Sequence, residues 1–135
     1  MSVVNILIVG VGGQGTLLAS TVLGNLALNG GLDVKLSEVH GMAQRGGSVV
    51  THVRFGEKVY APIVDKGQAD IIIAFEELEA YRWVSYLKKG GAMFVNTQRI
   101  NPMPVIVKYK FNNTEGNRHI VQNRKTVSDI DHCLD

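Results

Sequence analysis

The chain has 135 residues, and its 45% hydrophobic content is enough for one domain with a single core. Its 14 basic and 12 acidic residues are scattered and leave a net charge of +2, which argues against nucleic-acid binding. A lone cysteine, Cys133, excludes an internal disulfide, and no His/Cys cluster has the spacing of a zinc or iron–sulfur site. Without a basic signal segment or an apolar run of roughly 18 residues, the sequence predicts a cytoplasmic protein with no membrane association.

The first third of the chain predicts a strand, a helix and a second strand. Residues 3–9 form a β-branched run that ends at a glycine, typical of a strand buried on both faces. Residues 16–28 predict a buried amphipathic helix, and Asn29-Gly30-Gly31 predicts its end. Its apolar positions recur at spacings of three and four: Leu17, Leu18, Val22, Leu23, Leu26 and Ala27. Residues 33–39 predict the second strand, which completes a right-handed βαβ unit.

The rest of the chain alternates between glycine-rich turns and strand-like runs. Residues 41–47 predict a loop that leads into a strand over 48–55. Gly56-Glu57-Lys58 followed by Val59-Tyr60-Ala61 predicts an antiparallel hairpin return. Further predicted elements are a buried strand over 70–75, a helix over 76–87 stopped by Gly90-Gly91, a strand over 92–95 and a last strand over 105–109.

These elements predict an α/β fold: a three-layer, Rossmann-like and mostly parallel sheet with an antiparallel hairpin. Residues 1–110 are predicted to form this domain. Residues 111–135 are mostly polar and sustain no helical or alternating stripe, so we predict a separate polar tail, truncated or divergent.

The strongest local motif follows the first predicted strand. Gly10-Val11-Gly12-Gly13-Gln14-Gly15 contains the G-x-G-x-x-G pattern of a dinucleotide-binding turn, whose N–H groups can hold a phosphate. Glu38 follows at the end of the second strand, where an acid would bond a ribose hydroxyl. The pattern makes Gly10, Gly12, Gly13, Gln14, Gly15 and Glu38 candidate cofactor-binding residues. Alternatively, the glycines only permit a tight turn and Glu38 is a solvated carboxylate.

A second candidate segment is His40-Gly41-Met42-Ala43-Gln44-Arg45-Gly46-Gly47-Ser48. It follows Glu38 at the sheet edge where open α/β folds bind ligands. Gln44, Arg45 and Ser48 offer donors to an anionic ligand or a partner subunit, and Gly46 and Gly47 supply the flexible backbone. The alternative is an ordinary surface loop.

Three motifs in order carry a resemblance to a known family. They are Gly-Val-Gly-Gly-Gln-Gly, then Ser-Glu-Val-His-Gly-Met-Ala-Gln-Arg-Gly-Gly-Ser, then Ala-Asp-Ile-Ile-Ile-Ala-Phe-Glu-Glu-Leu-Glu-Ala. Over about residues 4 to 108 the chain resembles the gamma-type subunit of 2-oxoacid:ferredoxin oxidoreductases. His-Gly-Met-Ala-Gln-Arg-Gly-Gly is most similar to the indolepyruvate branch, in which the corresponding chain is the beta subunit.

The resemblance implies a non-catalytic subunit of an enzyme that decarboxylates a 2-oxoacid oxidatively, uses coenzyme A and reduces ferredoxin. It also implies that thiamine diphosphate, magnesium and iron–sulfur clusters belong to a partner subunit, so the isolated chain would be inactive. Loop 41–48 would contact that partner or shape the approach of coenzyme A, beside the glycine loop. An isolated chain is also expected to self-associate through sheet surface left uncovered.

Two other functions stay open from the residues alone. The glycine loop with Glu38 is compatible with a free-standing dinucleotide-binding Rossmann domain. The second open function is that of a scaffold module that binds no ligand. No catalytic acid, base or nucleophile is predicted, since His40, His52, His119 and His132 lie far apart in the sequence.

Overall fold

A computed structural model of the chain describes residues 2–41 and 46–100, together with the backbone of residues 124–125. The strands are β1 (Val4–Val11), β2 (Asp33–His40), β3 (Ser48–Gly56), β4 (Ala69–Ala74), β5 (Leu87–Val95) and β6 (Arg124–Lys125). The helices are α1 (Thr16–Asn29) and α2 (Glu77–Trp83), and a 3-10 turn, Val84–Tyr86, follows α2 directly.

The described strands form one sheet in the order β2-β3-β1-β4-β5-β6. β1 pairs in parallel with β4, and β4 with β5, whereas β3 runs antiparallel to both β1 and β2. β1, β2, β4 and β5 therefore share one direction, while β3 and β6 oppose them. This architecture confirms the predicted α/β fold with a mostly parallel strand direction and an antiparallel pair.

Helices lie on both faces of the sheet, which gives the three predicted layers. On one face, Ala19 and Leu23 of α1 pack against Ile6 and Ile8 of β1 and Val53 of β3. On the other face, α2 and the 3-10 turn pack over a core whose buried members include Leu7, Val9, Ile72 and Met93. Tyr81, Trp83 and Tyr86 pack against that core. β1 is buried from both sides because its alternate residues enter both cores.

The predicted burial of α1 is wrong for four of its six apolar positions, whereas Leu23 and Ala27 do face the sheet. Small residues face the sheet: Thr16, Ser20, Gly24 and Ala27. A methyl group at Gly24 would stand only 3.1 Å from Leu36 Cδ1, so Leu36 would have to shift by a few tenths of an ångström to admit it. Leu18 is 69% exposed and Leu26 64%, and Leu17 and Val22 are exposed too. With no charged residue in the helix, apolar periodicity could not show which side faces the sheet.

The predicted hairpin return after β3 is also wrong. Val59 to Ala61 form no strand; residues 57–68, here called the strap, run instead as an irregular segment back to β4. Side chains of β2 and β3 hold the strap: Asp33 accepts from Val59 N at 2.8 Å, and Arg54 donates to two strap carbonyls. These bonds satisfy backbone groups that a strand would have paired with another strand.

The second helix is shorter than predicted. It ends at Trp83 rather than Leu87, and β5 already begins at Leu87. Gly90 and Gly91 therefore lie inside a strand, next to an irregular register with β4, and do not stop a helix.

Several predicted features lie outside the described residues. They are the strand over 105–109, most of the tail over 111–135, Cys133, Gln44 and Arg45. Within residues 111–135, the backbone of β6 pairs with β5, an element that the sequence did not predict. Among the described helices, none is long and apolar enough to span a membrane.

Candidate functional site

The two glycine-bearing segments meet at the edge of the sheet where β1 and β4 end, here called the carboxyl edge. Val11 at the end of β1 stands opposite Ser48 at the start of β3. Gly12 N donates to Gly47 O at 2.9 Å. The structure therefore brings the described part of the 41–48 loop directly against the glycine loop.

The glycine loop turns sharply from β1 into α1. Gly13 and Gly15 have φ angles of 95° and 85°, a region that side chains rarely adopt. Gly10 is required for a different reason: a Cβ there would stand 3.1 Å from Phe75 Cβ and 2.8 Å from Gln14 Oε1. α1 begins without a side-chain cap, so its first-turn N–H groups have no side-chain acceptor.

Gln14 joins the ends of β1 and β4. Its Oε1 accepts from Val11 N at 2.8 Å, and its Nε2 donates to Phe75 O at 3.2 Å and to Gln98 Oε1 at 3.3 Å. The crossovers from β1 and β4 leave toward opposite sides of the sheet, so this position is the crevice in which open α/β sheets bind ligands. In this chain a protein side chain lies there.

Two buried glutamates lie beside the loops. Glu76 is 1% exposed; it caps α2 by accepting from Glu79 N at 2.9 Å and also accepts from Ile100 N at 3.0 Å. Glu79 accepts from Ser48 Oγ at 2.6 Å and from Arg82 Nη1 at 2.9 Å. The Ser48 hydroxyl, predicted as a ligand donor, is therefore engaged with α2 and fixes the end of the 41–48 loop.

Glu38 does not lie beside the glycine loop. β3 separates β2 from β1, so the acid is two strands away from Gly10. Its carboxylate lies 3.4 Å from Thr51 Oγ1 and 3.2 Å from His40 Nδ1. A dinucleotide fingerprint needs the acid on the strand next to β1, and this sheet does not provide that arrangement.

The remaining described charges near this edge are paired. Arg99 Nε lies 3.1 Å from Glu77 Oε2, and that hydrogen bond raises the pKa of the Arg99 guanidinium above its ordinary value. Within residues 2–41 and 46–100, no group of three or more His, Cys, Asp or Glu side chains could hold a metal ion.

The sequence missed the roles of Gln14, Glu76 and Glu79. The two glutamates carried a signal, because acids at the first position and three residues later are typical of a helix start. Gln14 carried no such signal, since its partners Phe75 and Gln98 are far away in the sequence.

Comparison with known proteins adds an independent observation. The sequence model of pyruvate ferredoxin/flavodoxin oxidoreductase matches residues 5–131. The chain belongs to that family. The match extends past residue 108, where our resemblance stopped, and includes most of the segment that we had predicted to be a tail.

Within the family, the chain is 54% identical over 101 residues to the indolepyruvate oxidoreductase subunit IorB of Thermococcus kodakarensis. The alignment covers 75% of this chain and 50% of that subunit, so the chain spans about half the length of this relative. The gamma subunit of a keto/oxoacid ferredoxin oxidoreductase from Geobacter sulfurreducens is similar in structure, with a TM-score of 0.56 and 26% identity, over 69% of this chain and 50% of that one.

A third member shows the fold alone. The 2-oxoglutarate:ferredoxin oxidoreductase of Magnetococcus marinus matches 90% of this chain but only 19% of its own, with a TM-score of 0.62 and 17% identity. It was solved with 2-oxoglutarate, coenzyme A and succinyl-CoA bound. In this oxidoreductase family the same fold therefore also occurs as a small part of a much longer chain.

Proposed function

We propose that this chain is the gamma-type, non-catalytic part of an indolepyruvate or related arylpyruvate:ferredoxin oxidoreductase. The observation that carries the proposal is the 54% identity to an indolepyruvate oxidoreductase subunit. The reaction would convert a 2-oxoacid and coenzyme A to an acyl-CoA and pass the electrons to ferredoxin.

The carboxyl edge is the surface that we assign to the partner. The Gly12–Gly47 bond places both glycine-bearing loops on one side of the molecule, as a common docking face requires. Buried Glu79 holds Ser48, which fixes one end of the 41–48 loop before any partner binds. Fixing the described end of this loop in advance lowers the entropy that association costs.

The partner subunit in this proposal holds thiamine diphosphate, magnesium and the iron–sulfur clusters, which supply the decarboxylation and electron transfer. This chain would contribute binding groups alone. The candidates are the N–H groups of Gly13 and Gly15, with Gln44, Arg45 and Gly46 on the neighbouring loop. An arginine fork matches the phosphates of coenzyme A, whose approach it would guide.

Reconstitution tests the proposal directly. The chain and its thiamine diphosphate subunit, purified separately, should be inactive apart and should together reduce ferredoxin when given indolepyruvate and coenzyme A. Oxidation of a 2-oxoacid by this chain unaided would overturn the proposal. So would full activity of the partner without it.

A loop variant tests the assignment of the face. Arg45→Ala should raise the KM for coenzyme A by about 10-fold, the value of one lost charge-assisted bond, with little change in the KM for the 2-oxoacid. Lys66→Ala, an exposed change in the strap, is the matched control and should leave both unchanged. If the two variants change the KM for coenzyme A equally, the 41–48 loop does not contact coenzyme A.

A dinucleotide-binding domain is the second candidate, since the G-x-G-x-x-G turn is present after β1. Calorimetric titration of the chain with NAD, FAD and coenzyme A separates the two functions. Micromolar or tighter binding of NAD or FAD by the isolated chain would favour this alternative.

We also propose a cytoplasmic location, on the ground that a single cysteine fits a reducing compartment.

A further inference from the structure

We infer that a second copy of this chain pairs with the open edge of β2, so that two sheets join into one and the two α1 helices meet above the junction. β2 is the terminal strand of the described sheet, and no described strand pairs with its outer side. A strand of eight residues with an open edge is a template for pairing with another chain. This inference is independent of the oxidoreductase role.

The hydrogen-bond pattern shows which groups β2 offers. Gly41 N donates to Ser48 O at 3.0 Å, which makes these opposed residues a hydrogen-bonded pair. Bonded and non-bonded pairs alternate along an antiparallel ladder. Lys35, Ser37 and Val39 therefore bond to β3. The N–H and C=O groups of Val34, Leu36 and Glu38 point away from β3, toward the open edge.

Charge selects the register of the pairing. With a twofold axis at Leu36, this residue stands opposite its own copy, Lys35 opposite Ser37 and Val34 opposite Glu38. A shift of two residues in one direction would place Lys35 opposite Lys35, and like charges directly opposed are destabilising. The same shift in the other direction would set Leu36 against the Glu38 carboxylate. The Leu36-centred register avoids the lysine pair, and it sets the smaller Val34, not Leu36, opposite Glu38.

The side of α1 that faces this edge is apolar and uncharged. Gly24 lies over Leu36, as the 3.1 Å approach shows. Leu17, Thr21 and Leu28 share its strip at spacings of four, three and four residues. Leu17 is 60% exposed and Leu28 56%, and Leu36 beneath them is 44% exposed. Helix and strand thus form an apolar strip around Leu36, which Glu38 bounds along β2.

Simple geometry fits two helices above the junction. α1 packs mainly on β3 and β2 and less on β1, so its axis lies about 2.4 to 4.8 Å inside β2, and the twofold axis lies about 2.4 Å outside it. The two antiparallel helices would then be about 10 to 14 Å apart, at or beyond the upper end of the usual packing distance. Small residues at 21 and 24 lie near the axis, and Leu17 of each copy meets Leu28 of the other.

The area is sufficient for a weak dimer. β2 is about 27 Å long and α1 about 21 Å, and the two layers together are about 20 Å deep. The footprint is therefore about 500 Å² per copy, or about 1,000 Å² in total, at the lower limit for a specific interface. We expect a dissociation constant in the micromolar range.

Cross-linking tests the register. In a Cys133→Ser background, Leu36→Cys should form a disulfide-linked dimer under mild oxidation. Opposed residues of a bonded pair have Cα atoms about 5.5 Å apart, inside the disulfide range. Ser85→Cys in the same background is the control, since Ser85 is exposed beyond α2, on the other face from α1. No dimer through position 36, or equal yields at both positions, would overturn the inference.

Sedimentation equilibrium on the whole chain tests the helix contact. Leu17→Glu or Leu28→Lys alone should weaken the dimer at least about 10-fold, because each buries a charge against a leucine. The double variant should restore the wild-type constant, since each glutamate then meets a lysine of the other copy. Both positions are exposed in the monomer, so folding should be little affected. A wild-type chain that stays monomeric at about 100 µM, or unaffected single variants, would contradict the interface.

Discussion

Gly10 is the residue at which the glycine motif is required by packing. Gly10→Ala should lower the free energy of unfolding by about 1–3 kcal/mol, because the new methyl group would press on Phe75 and Thr16 as well as on Gln14. Urea denaturation measures the change. In a Gln14→Ala background the cost should fall, since the contact at 2.8 Å is removed.

Gly41→Ala is the matched control for Gly10. A Cβ at Gly41 would meet only Ser48 O, at 3.8 Å, and Gly41 does not have a positive φ. The substitution should cost less than about 0.5 kcal/mol. If the two variants unfold at the same urea concentration, the close approach at Gly10 does not limit stability.

His52 links stability to pH. Its Nδ1 accepts from Val64 N at 3.1 Å, which requires a neutral ring, and burial, helped by Arg54, lowers the pKa of His52 below 6.5, while Asp65 opposes the shift. As the pH falls below 6.5, the unfolded chain takes up a proton that the folded chain does not. The free energy of unfolding should therefore decrease from pH 6.5 down to the pKa of the folded state, and this histidine should have no effect above that window.

The His52→Gln variant isolates this effect. Unfolding free energies measured from about pH 7.5 to about pH 5.5 should fall more steeply for the wild type than for the variant, because the other titrating groups are common to both. Parallel slopes would mean that the ring is as easily protonated in the folded chain as in the unfolded one.

At the residue scale, the sequence located the glycine loop but not what occupies it. Gly10, Gly12 and Gly15 follow a pattern with a local cause, a sharp strand-to-helix turn. Gln14 accepts from nearby Val11 N, but its other two partners, Phe75 and Gln98, are more than sixty residues away, and no local rule contains them. Ser48 was predicted as a polar group of the site, but its partner Glu79 was not.

The Ser48–Glu79 bond belongs to the scale of elements, because it joins β3 to α2. Ser48→Ala should cost about 1.5–3 kcal/mol, as for a bond to a charged group, and about 0.5–1.5 kcal/mol in a Glu79→Gln background, where the bond is neutral. Thermal or urea unfolding of the four proteins gives the coupling. Ser85→Ala, an exposed change, is the control. If Ser48→Ala lowers the free energy of unfolding equally in both backgrounds, the charge of the Glu79 carboxylate does not strengthen the Ser48–Glu79 bond.

The positions of strands and helices in the chain were largely predictable from the sequence. Which side of each element is buried was not. β1, β2, β3 and β4 lie within one or two residues of their predicted bounds because runs of β-branched residues end at glycines or polar turns. α1 was placed correctly, but four of its six predicted core positions are exposed, since its apolar residues are spread around the helix and no charged residue marks the outer side. α2 ended early because the chain turns through 3-10 geometry into β5, which the lysines and glycines at 88–91 did not reveal.

At the scale of the whole molecule, strand order was the main feature that the sequence could not give. A predicted βαβ unit favours β1 and β2 as neighbours, yet β3 inserts between them. The pairing of β3 with both strands is decided by long-range burial of residues such as Val50 and Val53, which face opposite cores. This insertion is also what moves Glu38 away from the glycine loop.

Hydrogen exchange of the backbone amides should reflect the position of each strand in the sheet. Leu7 and Ile8 in the fully buried centre of β1 should be among the slowest amides, because their exchange requires opening of the whole sheet. The outward amide of Leu36 should exchange quickly in dilute solution and slow as the chain is concentrated. Lys35, bonded to β3, is the internal control and should depend little on concentration. A concentration-independent Leu36 amide would argue against edge pairing.

The uncharged, leucine-rich outer side of α1 has a further consequence for the cell. A protomer made in excess displays a surface of the kind that holdase chaperones and quality-control proteases bind. Assembly would hide that surface. We therefore expect the abundance of this polypeptide to track that of its binding partners, with surplus copies degraded, and substitution of Leu18 and Leu26 by glutamine to lengthen the half-life of the orphan form.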